Sequence, residues 1–209
     1  GAKDSRTIDR KTYYNYPRAY KMIDELQPQA VIFSDGGPGC RWVGNENGFA
    51  GATNWSFLRT GEVYPGYPKY RELQYGHADG NQWVAAECDV SIRPGWFYHP
   101  EEDDRVKTVD ELTDLYYRSV GHNATLLLNF PVDRDGLIHP TDSVNAVNFH
   151  QNVQKQLAHN LLAGLSPKAS DERGRTFSAK AVTDGDYDTY WATNDDVISA
   201  TIEFDLPQA

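Results

Sequence analysis

From residue 16 to residue 164 the chain alternates helix-length amphipathic stretches with short apolar runs, and each apolar run empties into a polar or aromatic loop. This alternation restricts the fold more than any other feature. A short buried strand, a loop and a covering helix form the repeating step of an α/β sheet with parallel strands. Residues 16–27 carry apolar positions at helical spacing, with Pro17 suited to the first turn and Pro28 following the last. AVIFSD at 30–35 then predicts a buried strand stopped by the GGPG turn. ECDVSIR at 87–93 and TLLLNF at 125–130 predict two more strands. Helices are predicted at 108–121, where Thr108 and Glu111 are spaced as a capping box, and at 141–164, where Gly164 is the stop. Between 41 and 82 Gly, Pro, Asn and Trp crowd together and no regular element is evident. A loop of that length in a compact domain usually has a function. In barrels of this type the chemistry sits at the C-terminal ends of the strands. The loops starting at Ser34, Arg93 and Asn129 are therefore expected on one face. Closure takes about eight strands and only about half that number can be found, so the expectation is part of a barrel. After Gly164 the helical period is lost and short β-like runs alternate with turn residues, so a second, all-β domain is expected from about Ser166.

Charge and thiols exclude several function classes. Thirty acidic residues against twenty basic ones leave a formal charge of −10 with no basic stripe, which argues against a nucleic-acid partner. No apolar run approaches the ~20 residues of a membrane span. Cys40 and Cys88 lie in no CxxC or zinc-ligand pattern and read as free structural thiols. The triplets NWS at 54–56 and NAT at 123–125 have the form of glycosylation acceptors, a weak signal.

The carboxylates with chemical promise lie in and around the long loop. Glu46, in RWVGNENGFAG, follows a strand by about ten residues and is flanked by Trp42 and several glycines. Glycine lets backbone approach a ligand closely. An aromatic wall raises a carboxyl pKa by desolvation, as a general acid requires. Glycoside cleavage needs two carboxyls, so Glu46 is half of such a mechanism. Asp35, at a strand end, either faces a ligand or caps the GGPG turn. Arg93 either clamps hydroxyls or a carboxylate with its guanidinium fork or sits in an ion pair, for which Glu87 and Asp89 are the candidate partners. Trp96 in SIRPGWFYH is suited to walling a sugar site, and HPEEDD at 99–104 reads as a solvated acidic turn. Asp184, Asp186 and Thr189 in DGDYDTYW bring oxygens close enough in sequence to wrap a hard cation, although the spacing is not that of an EF-hand.

Three blocks make the reading specific. FSDGGPGCRWVGNENGFAG, DVSIRPGWFYHPEED and SVGHNATLLLNFPVDRDGLI, in this order and spacing, resemble the α-L-fucosidases of glycoside hydrolase family 29, most closely the bacterial subgroup preferring α-1,3/1,4-linked fucose. The resemblance implies an α/β fold over 1–165, the C-terminal portion of a (β/α)8-like TIM barrel. It implies exo-hydrolysis of terminal fucose with retention, through a covalent fucosyl-enzyme intermediate and with no catalytic cofactor. Glu46 takes the place of the family's acid/base and Trp96 that of a sugar-site wall, with Arg93, Asp35 and Trp42 as further substrate-binding candidates. The family's nucleophilic Asp stands in a Trp-Phe-Asp-Gly-Ala segment, which this chain would enter at Gly1-Ala2. The nucleophile and the N-terminal half of the barrel are thus expected upstream. Residues 166–209 resemble the start of a discoidin-like jelly-roll sandwich, in which Asp184, Asp186 and Thr189 match positions around a structural calcium. The implied partners are fucosylated oligosaccharides or glycoconjugates, and the implied location is periplasmic or secreted. A non-catalytic carbohydrate-binding or scaffold fragment is the alternative, and an acidic hydrolase of another barrel family a third.

Overall fold

A computed structural model describes residues 8–206. The chain divides into two compact units, one ending at Val153 and the other beginning at Gln154.

The first unit contains α1 (Tyr16–Leu26), β1 (Phe33–Ser34), β2 (Cys40–Trp42), β3 (Phe57–Leu58), α2 (Tyr70–Tyr75), β4 (Gln82–Trp83), β5 (Ala85–Ser91), α3 (Val109–Ser119), β6 (Ala124–Asn129) and most of α4 (Pro140–Leu157). Strands β1, β2, β5 and β6 form one sheet in that order, and every pair in it is parallel. The mixed α/β character and parallel sheet expected from the alternation are present. α1 occupies nearly the expected span, β5 begins two residues before it, and β6 lies one residue earlier. At α3 the capping box forms in full: the Thr108 backbone N–H donates to Glu111 Oε2 at 2.8 Å, and the Glu111 N–H donates to Thr108 Oγ1 at 3.3 Å.

Three elements differ from expectation. The buried strand expected at 30–35 is the two-residue β1, and Val31 and Phe33 are exposed. α4 stops at Leu157, seven residues short of Gly164. The stretch 41–82 is not structureless. It holds β2, the antiparallel pair β3–β4 and α2. Its own small core of Leu58, Val63, Tyr67, Leu73 and Val84 stands in for long periodic elements. Strands of two or three residues and a six-residue helix are too short to print a period on a sequence.

A network around Glu72 braces this segment. Lys69 Nζ lies 3.0 Å from Oε1, while the Tyr67 hydroxyl donates to Oε2 at 2.8 Å. Lys69 first, then Tyr67, hold the Glu72 carboxyl down at about 2, against an ordinary 4.5. A depressed carboxyl stabilises the fold fully above its unfolded pKa, and that contribution drains away as pH falls towards the folded value. Melting curves of wild type and Glu72→Gln should therefore differ at neutral pH and converge between pH 4.5 and about 2. A constant offset across that window would show that the carboxylate charge contributes nothing.

β5 assigns the sheet's two faces. Ala86, Cys88 and Val90 are buried, and Val90 joins Ile92, Val106, Leu112 and Leu115 in a core with α3. The alternate residues Ala85, Glu87, Asp89 and Ser91 project from the other face, as the period of two requires. Register places Trp42 beside Glu87, and Thr125, Leu127 and Asn129 beside Glu87, Asp89 and Ser91. One face is thus apolar core, and the other carries two carboxylates, an indole, two hydroxyls and an amide.

The second unit, from Gln154, holds the antiparallel pair β7 (Lys168–Ala169) and β8 (Ile202–Glu203). Its loops are tied by the Trp191 indole N–H on the Asp171 carbonyl at 2.9 Å, by Arg173 on Asp195, and by Phe177 against Tyr190.

Candidate active site

The loop after β2 is pinned on both sides of Glu46. Gly44 has φ +78°, and a Cβ there would meet the Tyr70 carbonyl oxygen at 2.2 Å. Gly48 has φ +79° and lies against Val90. Only glycine satisfies both the left-handed backbone and the close approach. Between them the Asn45 side chain donates to the Phe49 carbonyl at 3.1 Å and accepts the Asn47 N–H at 3.0 Å, closing the loop with Glu46 at its exposed tip. The chain leaving β5 brings Trp96 to the same place, and the Trp96 indole N–H donates to Glu46 Oε2 at 2.9 Å. From the end of β6, Asn129 fixes that loop: its amide donates to the Trp96 carbonyl at 3.2 Å and to Ser91 Oγ at 3.1 Å. The C-terminal ends of β2, β5 and β6 thus converge on Glu46 and Trp96.

Beside them stands a second carboxylate. The Trp42 indole N–H donates to Asp89 Oδ1 at 2.6 Å, and the Trp42 ring packs edge-on against Tyr70 at 5.5 Å. Burial pushes the Asp89 carboxyl above its ordinary value, the Trp42 hydrogen bond opposes this, and the neighbouring charges of Glu46 and Glu87 push it further up. Glu87 accepts from the Cys40 thiol at 3.4 Å. Burial first, then Glu87, raises that thiol to about 12, and burial raises Cys88 to about 12 as well. Both cysteines are free, and a thiol so raised is no nucleophile at neutral pH.

Two sequence expectations need correction. Arg93 is not a fork open to a ligand. It is buried, donates twice to the buried Asp142, from Nε and Nη2 at 2.8 Å each, and from Nη1 to Asp103 at 2.9 Å. Its carboxylate partners are these two, not Glu87 or Asp89, whose side chains leave β5 on the Trp42 side. With Asp142 foremost, the paired carboxylates hold the guanidinium above even its ordinary value. Asp103 in the HPEEDD turn is therefore an ion-pair partner as well as a half-exposed acid. Asp35 neither meets the Glu46 cluster nor caps its own turn. Its Oδ2 accepts the N–H groups of Gly66 and Tyr67 at 2.6 and 3.1 Å, tying down a loop some thirty residues away. The GGPG turn is held instead by Ser34, whose hydroxyl donates to the Gly37 carbonyl at 2.6 Å.

The glycosylation triplets bind each other. The Asn54 amide donates to the carbonyls of His122 and Asn123 and accepts from buried Arg41, while the Asn123 amide donates to the Asn54 carbonyl and Ser56 Oγ. A glycan on either would forfeit this bracket, so the intact mass is expected to be unchanged by deglycosylating enzymes.

The loop matched to a calcium site is closed on itself. Asp184 accepts the Asp186 N–H at 2.9 Å and the Thr189 hydroxyl at 2.7 Å, and Asp186 accepts the Asp188 N–H at 2.9 Å. Among the described residues no three His, Cys, Asp or Glu side chains gather as a metal set. Asp184, Asp186 and Thr189 are thus drawn together within one turn of the chain. Among the described residues no helix is long and apolar enough to cross a membrane.

A parallel sheet that gathers carboxylates and indoles at the C-terminal ends of its strands has the site layout of α/β enzymes. The known proteins that this chain is similar to make the class particular: they are α-L-fucosidases. No family model matches the chain. It is 41% identical over 200 residues to alpha-L-fucosidase 1 of Arabidopsis thaliana, matching 92% of this chain and 38% of that protein. Among solved structures, a glycoside hydrolase 29 family member from an unknown rumen bacterium is 45% identical with TM-score 0.71, over 82% of this chain and 32% of that one. A Ruminococcus gnavus family 29 fucosidase in complex with fucose is 31% identical with TM-score 0.77, over 97% and 42%. The chain spans less than half the length of each of these relatives.

Proposed function

We propose that the protein carrying this chain is an exo-acting, retaining α-L-fucosidase that removes terminal α-1,3/1,4-linked L-fucose from glycans. The observation that carries the reading is the placement of Glu46. It stands at a strand-end loop, its carboxylate oriented by the Trp96 indole at 2.9 Å, within a segment resembling the family's acid/base block. In the first step Glu46 gives its proton to the leaving glycosidic oxygen while a second carboxylate attacks the anomeric carbon. In the second step Glu46 takes a proton from water, which releases fucose from the covalent intermediate. The attacking carboxylate is the Asp that the resemblance places immediately ahead of Gly1. Retention asks for about 5–5.5 Å between the two carboxyls. Trp96, half-buried beside Glu46, is the wall for the sugar's apolar face. The four parallel strands belong, on this reading, to a (β/α)8-like barrel, with a discoidin-like sandwich beginning at about residue 166. The fucosylated substrates are met in the periplasm or outside the cell.

The test is to follow an α-L-fucosylated oligosaccharide with the full-length protein by proton NMR. Free fucose released first as the α-anomer is expected. Release first as the β-anomer would overturn retention. Saturable binding with no release would favour the carbohydrate-binding alternative.

A further inference from the structure

We propose that Asn129 is a positioning residue for the acid/base step: its side-chain amide holds the Trp96 backbone, and through it the indole N–H that aims the Glu46 carboxyl. The inference rests on the reading of Glu46 as acid/base and goes beyond it by naming the residue that fixes its hydrogen-bond donor.

Glu46 stands exposed at its loop tip, where a long side chain turns freely unless something holds it. Among the described residues only the Trp96 indole does so, donating to Oε2 at 2.9 Å and leaving Oε1 to meet the glycosidic oxygen. A general acid has to stand within hydrogen-bond reach of the atom it protonates, and a displacement of about 1 Å costs about 10²-fold in rate. The aim of Glu46 is therefore no better than the placement of Trp96. Trp96 lies on a stretch that regular structure does not hold. Among the described residues no backbone–backbone hydrogen bond reaches residues 94–98. The flanks are fixed: the Ile92 N–H donates to the Asn129 carbonyl at 3.0 Å, and the Arg93 guanidinium lies 4.7 Å from the centre of the Tyr98 ring. Between them, the hydrogen bond on the loop backbone is the one from the Asn129 amide to the Trp96 carbonyl at 3.2 Å. The same amide donates to Ser91 Oγ at 3.1 Å, so the last residue of β6 ties the last residue of β5 to the loop. A primary amide brings two N–H donors to these two oxygens. An Asp of the same shape brings none when ionised and would set a carboxylate against a carbonyl. Asn129 makes no hydrogen bond to Glu46 and acts through Trp96.

In the full-length protein, Asn129→Ala should lower kcat/KM about tenfold on fucosylated glycans and less than about twofold on an aryl fucoside with an acidic phenol, which needs little protonation. The ratio of the two is the readout. Both substrates present the same fucose to the Trp96 wall, so a merely loosened wall would lower them alike. Trp96→Phe, which keeps an aromatic wall and removes the N–H, should change the ratio in the same direction. In a Glu46→Ala background, Asn129→Ala should leave the ratio where Glu46→Ala put it, because the two residues act on one step. Equal losses on both substrates, or a further fall of the ratio in that background, would overturn the proposal. Should Asn129→Ala not fold, the near-isosteric Asn129→Asp takes its place with the same outcomes. Failure of the underlying reading looks different, since Glu46→Ala alone would then lack any leaving-group dependence.

Discussion

Glu46→Ala in the full-length protein is expected to lose about 10²- to 10⁴-fold in turnover of fucosylated glycans, whose leaving groups are basic sugar alkoxides. On an aryl fucoside with an acidic phenol the first step needs little protonation, so the loss there should be far smaller. Any deficit that remains belongs to the second step, where Glu46 activates water. Azide, small and anionic, needs no general base. Removal of the carboxylate also removes the charge that would repel it from the loop tip. Added azide, replacing water in the second displacement, should therefore restore turnover and yield α-fucosyl azide, identified by NMR. Equal, small losses on both substrates with no azide adduct would rule Glu46 out as the acid/base.

Asp142→Ala is expected to be the most destabilising single change at the strand ends. Arg93 and Asp142 are both buried, and two hydrogen bonds of 2.8 Å join them. Removal of one partner of such a pair leaves a buried charge uncompensated and costs about 3–5 kcal/mol. Asp103, still 2.9 Å from Arg93, should hold the loss near the lower figure. Arg93 also lies three residues before Trp96, so the loop carrying Glu46's hydrogen-bond donor should loosen with it. A matched double replacement, Arg93→Met with Asp142→Leu, should recover most of the stability, because an apolar pair of similar volume carries no desolvation penalty. Urea unfolding of the two variants checks both statements. A loss below about 1 kcal/mol for Asp142→Ala would show that Asp103 alone satisfies the guanidinium.

The Arg93 pair also marks where sequence reading stops. A guanidinium at a strand end invites a nearby acid, and Glu87 and Asp89 were the nearest in the chain. Side chains alternate along a strand, however, and β5 sends those two towards Trp42, while the partner comes from the first turn of α4, forty-nine residues on. Asp35 shows the same limit, because its hydrogen bonds go to Gly66 and Tyr67 in a segment with no readable period.

What the sequence determined by itself is local: the span of α1, the capping box on Thr108, strand β5 within two residues, and the glycine-flanked loop that presents Glu46. Each is written within a few consecutive residues, because helical period, cap geometry and left-handed backbone are short-range properties of the chain. Only the tertiary structure decided which groups meet: Trp96 with Glu46, Trp42 with Asp89, Asp142 with Arg93, Asn54 with Asn123. Those pairings span roughly fifty to seventy residues. Sheet register and the closure of loops over the parallel strands set them, and both are settled by burial across the whole unit rather than by any neighbouring residue.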